Sequence, residues 1–172
     1  SLIANVEANV APTTSVTLTA TAATSVTLNV ADGKNSAGSQ QTAFYGDITA
    51  PAATSVKINS TGILGAATGD RVNLSAAKAT SLTIVNGASG GFLTMPDPSK
   101  LTSLSVTSGA AFDLGLTTAA SKVQNLTLVA NKGAITVSTT DDFAAVNSVT
   151  VSGSGTGSGV TLGTLGATAN GY

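Results

Sequence analysis

Eight carboxylates, Glu7, Asp32, Asp47, Asp70, Asp97, Asp113, Asp141 and Asp142, carry most of the chemistry open to this sequence, because histidine and cysteine are both absent. Acid–base or nucleophilic catalysis needs groups that converge and tune one another, and these eight are scattered over 172 residues. The one adjacent pair, Asp141-Asp142, points to opposite sides if the backbone is extended, which is not the facing arrangement of a glycoside-cleaving pair. The inventory therefore predicts a protein without catalytic residues. Calcium is the more natural ligand for carboxylates in turns, since it takes six to eight oxygens and accepts backbone carbonyls. Asp141, Asp142, Asp97 and Asp70 are the candidate calcium residues. Their alternative role is as caps or turn residues, as Pro96-Asp97-Pro98 and Thr140-Asp141-Asp142 suggest.

Hydroxyls are far more numerous. Ser-apolar-Thr-apolar recurs as Ser15-Val16-Thr17-Leu18, Ser25-Val26-Thr27-Leu28, Ser55-Val56-Lys57-Ile58, Ser81-Leu82-Thr83-Ile84, Ser103-Leu104-Ser105-Val106, Asn125-Leu126-Thr127-Leu128 and Ser148-Val149-Thr150-Val151. Thr83, Thr127 and Thr150 are candidate binding or assembly residues on a flat polar face of the kind that could order ice. Threonine is also a good strand former in its own right, which explains the same pattern as solvated scaffold. Phe44 and Tyr45, two of six aromatic residues, are candidates for anchoring a sugar or a neighbouring subunit, or for a small satellite core.

Period-two alternation of this kind marks strands with one buried face. The last four copies are spaced by 22, 22 and 23 residues. Between them lies a second alternating segment: Val72-Asn73-Leu74, Leu93-Thr94-Met95, Phe112-Asp113-Leu114, Ile135-Thr136-Val137 and Val160-Thr161-Leu162. Two strands per repeat of about 22 residues suit one turn of a coil, and neighbouring coils bury what a single coil cannot. Ala79, Leu101, Val123 and Val146, each three residues before an inward position, supply a third wall, with short helical turns expected at the corners.

The expected architecture is all-β: a parallel β-solenoid, one domain over 1–172, with an inserted loop or irregular coil over 32–50 and re-entry at Pro51. In the expected interior ladders Val16 stacks with Val26, and Leu18 with Leu28. Ile3-x-x-Val6-x-Ala8 already follows the coil pattern, so the chain reads as a segment of a longer array.

Composition agrees: 42% hydrophobic but 3% aromatic, and 9% charged where about 25% is ordinary. A net charge of −1 leaves no basic stripe for phosphates, so nucleic-acid binding is not expected. No apolar run reaches the length of a membrane-spanning helix. The absence of cysteine excludes disulfides and thiolate metal sites.

The stretches Ala53-Thr54-Ser55-Val56-Lys57-Ile58-Asn59, Ala79-Thr80-Ser81-Leu82-Thr83-Ile84 and Leu101-Thr102-Ser103-Leu104-Ser105-Val106-Thr107-Ser108-Gly109 resemble the repeat region of Gram-negative surface-layer proteins and related adhesins exported by the type I pathway. The resemblance implies a right-handed solenoid, a secreted protein at the bacterial cell surface, self-association into a lattice or filament, and calcium. The calcium-binding nonapeptide of that family is missing, because Gly90-Gly91 is followed by Phe92-Leu93-Thr94. A structural surface protein is the leading expectation, with cell-surface polysaccharide as a further partner. The alternative is an extracellular binding module that recognises glycans through Asp32 to Asp47, or ice through the hydroxyl face.

Overall fold

The computed structural model describes residues 1–8, 15–32, 44–65, 71–87, 90–116, 120, 122–139 and 143–162. Fourteen strands among them form two parallel seven-stranded sheets. The first sheet stacks β1 (Leu2–Ala8), β3 (Ser25–Asp32), β5 (Ser55–Ser60), β7 (Ser81–Asn86), β9 (Ser103–Ser108), β11 (Asn125–Ala130) and β13 (Ser148–Gly153). The second stacks β2 (Val16–Thr19), β4 (Gly46–Thr49), β6 (Val72–Ser75), β8 (Gly91–Met95), β10 (Phe112–Leu116), β12 (Ala134–Thr139) and β14 (Gly159–Leu162). The chain thus alternates between sheets at every strand, and the fold is a parallel β-solenoid. Among the described residues there is no helix long and apolar enough to cross a membrane.

Register follows from the alternation, because a one-residue slip would turn every aliphatic side chain outward. In the first sheet Leu2, Val26, Val56, Leu82, Leu104, Leu126 and Val149 stack in one interior ladder, and Ala4, Leu28, Ile58, Ile84, Val106, Leu128 and Val151 in the next. The second sheet answers with Ile48, Leu74, Leu93, Leu114 and Val137, all buried in the same core. A third ladder in the first sheet is partly polar. Ser60 Oγ donates to the Gly62 carbonyl, and Ser108 Oγ to the Ala110 carbonyl, both at 2.6 Å, while Asn86 Nδ2 donates to Ser108 Oγ at 3.0 Å. These bonds offset the cost of burying polar groups beside the corner.

The structure departs from the sequence reading near the start. Val16 and Leu18 do not stack on Val26 and Leu28; they belong to β2 in the second sheet, opposite Gly46 and Ile48. Ten residues separate Val16 from Val26, enough to cross from one sheet to the other, whereas a full circuit takes 22 to 30. The true partner of β3 is β1, with Leu2 opposite Val26 and Ala4 opposite Leu28. The irregular stretch 32–50 is also narrower than expected: Gly46–Thr49 is the regular strand β4, paired on both sides, so the coil is re-entered before Pro51.

The described corners close on single reverse turns, while the segments 117–122 and 141–145, where helical turns were expected, lie partly outside the described residues. Ala53, Ala79, Leu101, Val123 and Val146 each donate an N–H to the carbonyl three residues earlier, at 2.9–3.3 Å. All five side chains are buried as the third wall. Gly46 and Gly133 are among the positions that demand glycine. Gly46 has φ 139°, and a Cβ there would run into the Val16 backbone. Gly133 has φ 77°, with Ala111 N 2.5 Å from where its Cβ would sit.

Candidate functional site: the outer faces and the end rungs

The described interior is packed mainly with aliphatic side chains, which leaves the outward columns and the outermost rungs as the surfaces on offer. On the first sheet, strand register brings Ser25, Ser55, Ser81, Ser103, Asn125 and Ser148 into one column. It places Ile3, Thr27, Lys57, Thr83, Ser105, Thr127 and Thr150 in the next. Thr83, Thr127 and Thr150 are therefore on one face, which Lys57 and the exposed Ile3 interrupt, and Thr17 lies on the other sheet.

A third column holds a feature that the sequence reading missed. Asn29 Nδ2 donates to Asn5 Oδ1 and Asn59 Nδ2 to Asn29 Oδ1, each at 2.8 Å. Amide side chains reach the next rung because strands are about 4.8 Å apart, so one donor and one acceptor per residue propagate along the stack. The signal was present: Asn29 and Asn59 each follow their Ser by four positions in matched copies. The column then changes to Val85, Thr107, Val129 and Ser152, and the amide run stops.

Among the described residues the carboxylates do not gather. Asp97 closes a small turn, accepting the Ser99 N–H at 3.0 Å. Its pKa is lowered by the Ser99 hydroxyl, the Ser99 backbone N–H and, more weakly, by Lys100. The ionised form gains those bonds, so their stabilisation is present above the ordinary carboxylate range and is lost as pH falls through the lowered pKa. Solvent exposure keeps it small. Asp47 accepts from Asn73 Nδ2 at 3.0 Å. Asp70, Asp141 and Asp142 lie outside the described residues. Among the described residues no three carboxylates come together in a metal-binding cluster.

Phe44 is 1% exposed and belongs to the main core, bridged to Leu64, so its ring has no face to offer a sugar or a subunit. Tyr45 beside it is buried too. Of the two expected roles, surface anchor or small satellite core, burial is the nearer, but Phe44, at an isolated bridge to Leu64, joins the main core and not a separate one.

On the second sheet a charged group does form. The Arg71 guanidinium reaches across Phe92, its Cζ 5.6 Å from the ring centroid, and Nη2 meets Asp113 Oδ2 at 3.3 Å. Gly115 leaves room for it: a Cβ there would stand 3.3 Å from Arg71 Nη1.

At the ends, the interior ladders come to the surface. Val149 is 37% and Val151 51% exposed, while Leu126 and Leu128 one rung inside are covered almost completely. At the other end Leu2, Ala4 and Val6 are half-buried. The strands β13 and β14 contain neither a charged residue nor a proline, the usual means of blunting an open edge. No protein-family model, curated protein or solved structure matches this chain.

Proposed function

We propose that the protein is a structural module, secreted to a bacterial cell surface, which builds a surface layer or filament by stacking end to end with copies of itself. The exposed valines of β13, Val149 and Val151, support this reading. If the internal register continues, a second copy sets Leu2 over Val149, Ala4 over Val151 and Asn5 over Ser152, extending two aliphatic ladders and one polar column without a break in pattern. Such a joint repeats the contact that every internal rung already makes, and parallel strand edges left open pair readily with another chain. The cell-surface setting rests on the likeness of the repeats to surface-layer and adhesin sequences.

Electron microscopy and sedimentation across a range of protein concentrations test it. Rods that lengthen with concentration, in steps of roughly 34 Å for seven rungs at ~4.8 Å each, are the expected result. Val151→Lys places a charge on a surface already half open and should leave single particles with an unchanged circular dichroism spectrum. A monomer at every concentration would sink the proposal. Repeating the series with calcium and with a chelator reports whether the metal takes part in the joint.

A further inference from the structure

The second sheet carries a cavity on its outer side, toward the far end of the rod from β1. Its floor is a column of very small residues. Gly91 pairs with Phe112 and Phe112 with Ile135, so the residues preceding them, Gly90, Ala111 and Ala134, lie side by side on successive rungs. Along one side of this floor stand Phe92, Asp113 and Thr136, also on successive rungs. Together they bound an open cavity of about 320 Å³, near the lower end of the range for small-molecule sites.

The rim is chemically incomplete. Asp113 Oδ2 has Arg71 at 3.3 Å, a long contact, and Oδ1 is shut off from solvent with no hydrogen-bond donor among the described residues. A carboxylate has about four acceptor positions, and leaving one oxygen enclosed without a donor is costly. The rungs on either side explain the shortage: Phe92 has no donor to give, and Thr136 does not reach. The residue nevertheless lines the cavity on the outer face, with 27% of its side chain exposed. Arg71 lies over the Phe92 ring and meets Asp113 Oδ2.

We infer that this cavity binds a neutral pyranose unit of a saccharide, with the apolar face of the sugar against Phe92 and the Gly90–Ala111–Ala134 floor and a hydroxyl donating to Asp113. A sugar ring combines a C–H face with a rim of hydroxyl donors, and the cavity combines an apolar floor with an acceptor that lacks a donor. Anionic ligands are disfavoured by the carboxylate, and a bulky side chain is disfavoured by the size of the cavity. The site stands apart from the end rungs, so the inference does not rest on end-to-end stacking. It also differs from the region around Phe44 and Tyr45, whose aromatic rings are buried.

The test is binding of the fluorescently labelled protein to an immobilised panel of neutral hexose and N-acetylhexosamine oligosaccharides, alongside sialylated and sulfated ones. Affinities for the retained sugars follow by calorimetry. Binding to at least one neutral sugar is expected. Asp113→Asn should weaken it by about tenfold, the scale of one lost charge-assisted hydrogen bond. Because that change also breaks the Arg71 pair, a second variant guards against misfolding: Ala111→Leu fills the floor at an exposed position, should abolish binding, and should leave circular dichroism and melting unchanged. Retention of no neutral sugar, retention of anionic sugars alone, or binding that survives both substitutions overturns the inference.

Discussion

At the scale of single residues, the absence of a side chain does as much as its presence. Gly91 occupies a buried ladder position between Leu64 and Phe112, and a Cβ there would lie 2.6 Å and 2.8 Å from Phe112 Cε2 and Cδ2. The aromatic ring fills the space that glycine leaves, one large residue serving two rungs. Gly91→Ala should therefore destabilise the protein by about 1–3 kcal/mol, the usual cost of overpacking. Adding Phe112→Leu to it should recover part of the loss, so that the double variant is more stable in urea unfolding than the two single changes predict by addition. Additive behaviour would mean that the ring and the glycine are not coupled.

At the scale of the element, the corner before each strand of the first sheet shows how a short motif becomes a ladder. In Ala53-Thr54-Ser55, Ala79-Thr80-Ser81 and Leu101-Thr102-Ser103 the first residue closes the turn and faces the core, while the threonine bonds to the rung below. Thr80 N donates to the Thr54 carbonyl at 2.8 Å and Thr80 Oγ1 donates to the same oxygen at 3.1 Å; Thr102 repeats this on the Thr80 carbonyl. The Thr54 carbonyl also accepts from Ser81 N at 3.2 Å, so the Thr80 hydroxyl shares an acceptor already in use. Thr80→Val should accordingly cost only about 0.5 kcal/mol, the low end for a hydrogen bond. Amide exchange should show β7 protected as before, because the backbone bonds that set the register remain.

For the whole molecule, the governing fact is that each rung is stabilised only by its neighbours. Leu104 has a rung on either side and is fully buried, whereas Val151 lies on the last strand of its sheet and is half exposed. Leu104→Ala should cost 2–5 kcal/mol, roughly the range for core truncations, and Val151→Ala about 0.5 kcal/mol or less in dilute solution. Raising the protein concentration should increase the cost of Val151→Ala if copies stack on that rung, since the side chain is then buried at the joint. Urea unfolding at two concentrations reads both effects, and a concentration-independent value for Val151→Ala counts against stacking.

Sequence alone determined the solenoid, because period-two alternation repeated at 22 and 23 residues leaves one way to bury both strands of each coil. Val72, Leu93, Phe112, Ile135 and Val160 were legible as a second set of inward positions for the same reason, and Ala79, Leu101, Val123 and Val146 as the third wall. Tertiary structure decided which strand belongs to which sheet at the start. Ser15-Val16-Thr17-Leu18 matches Ser25-Val26-Thr27-Leu28 in every residue, and pattern cannot say that the two lie on opposite walls; only the circuit length, closed by β1 against β3, does so. It also decided which residues meet across rungs. Arg71, Phe92 and Asp113 come from three different coils and have no common spacing or motif, so their contact exists only once parallel register has put one above another.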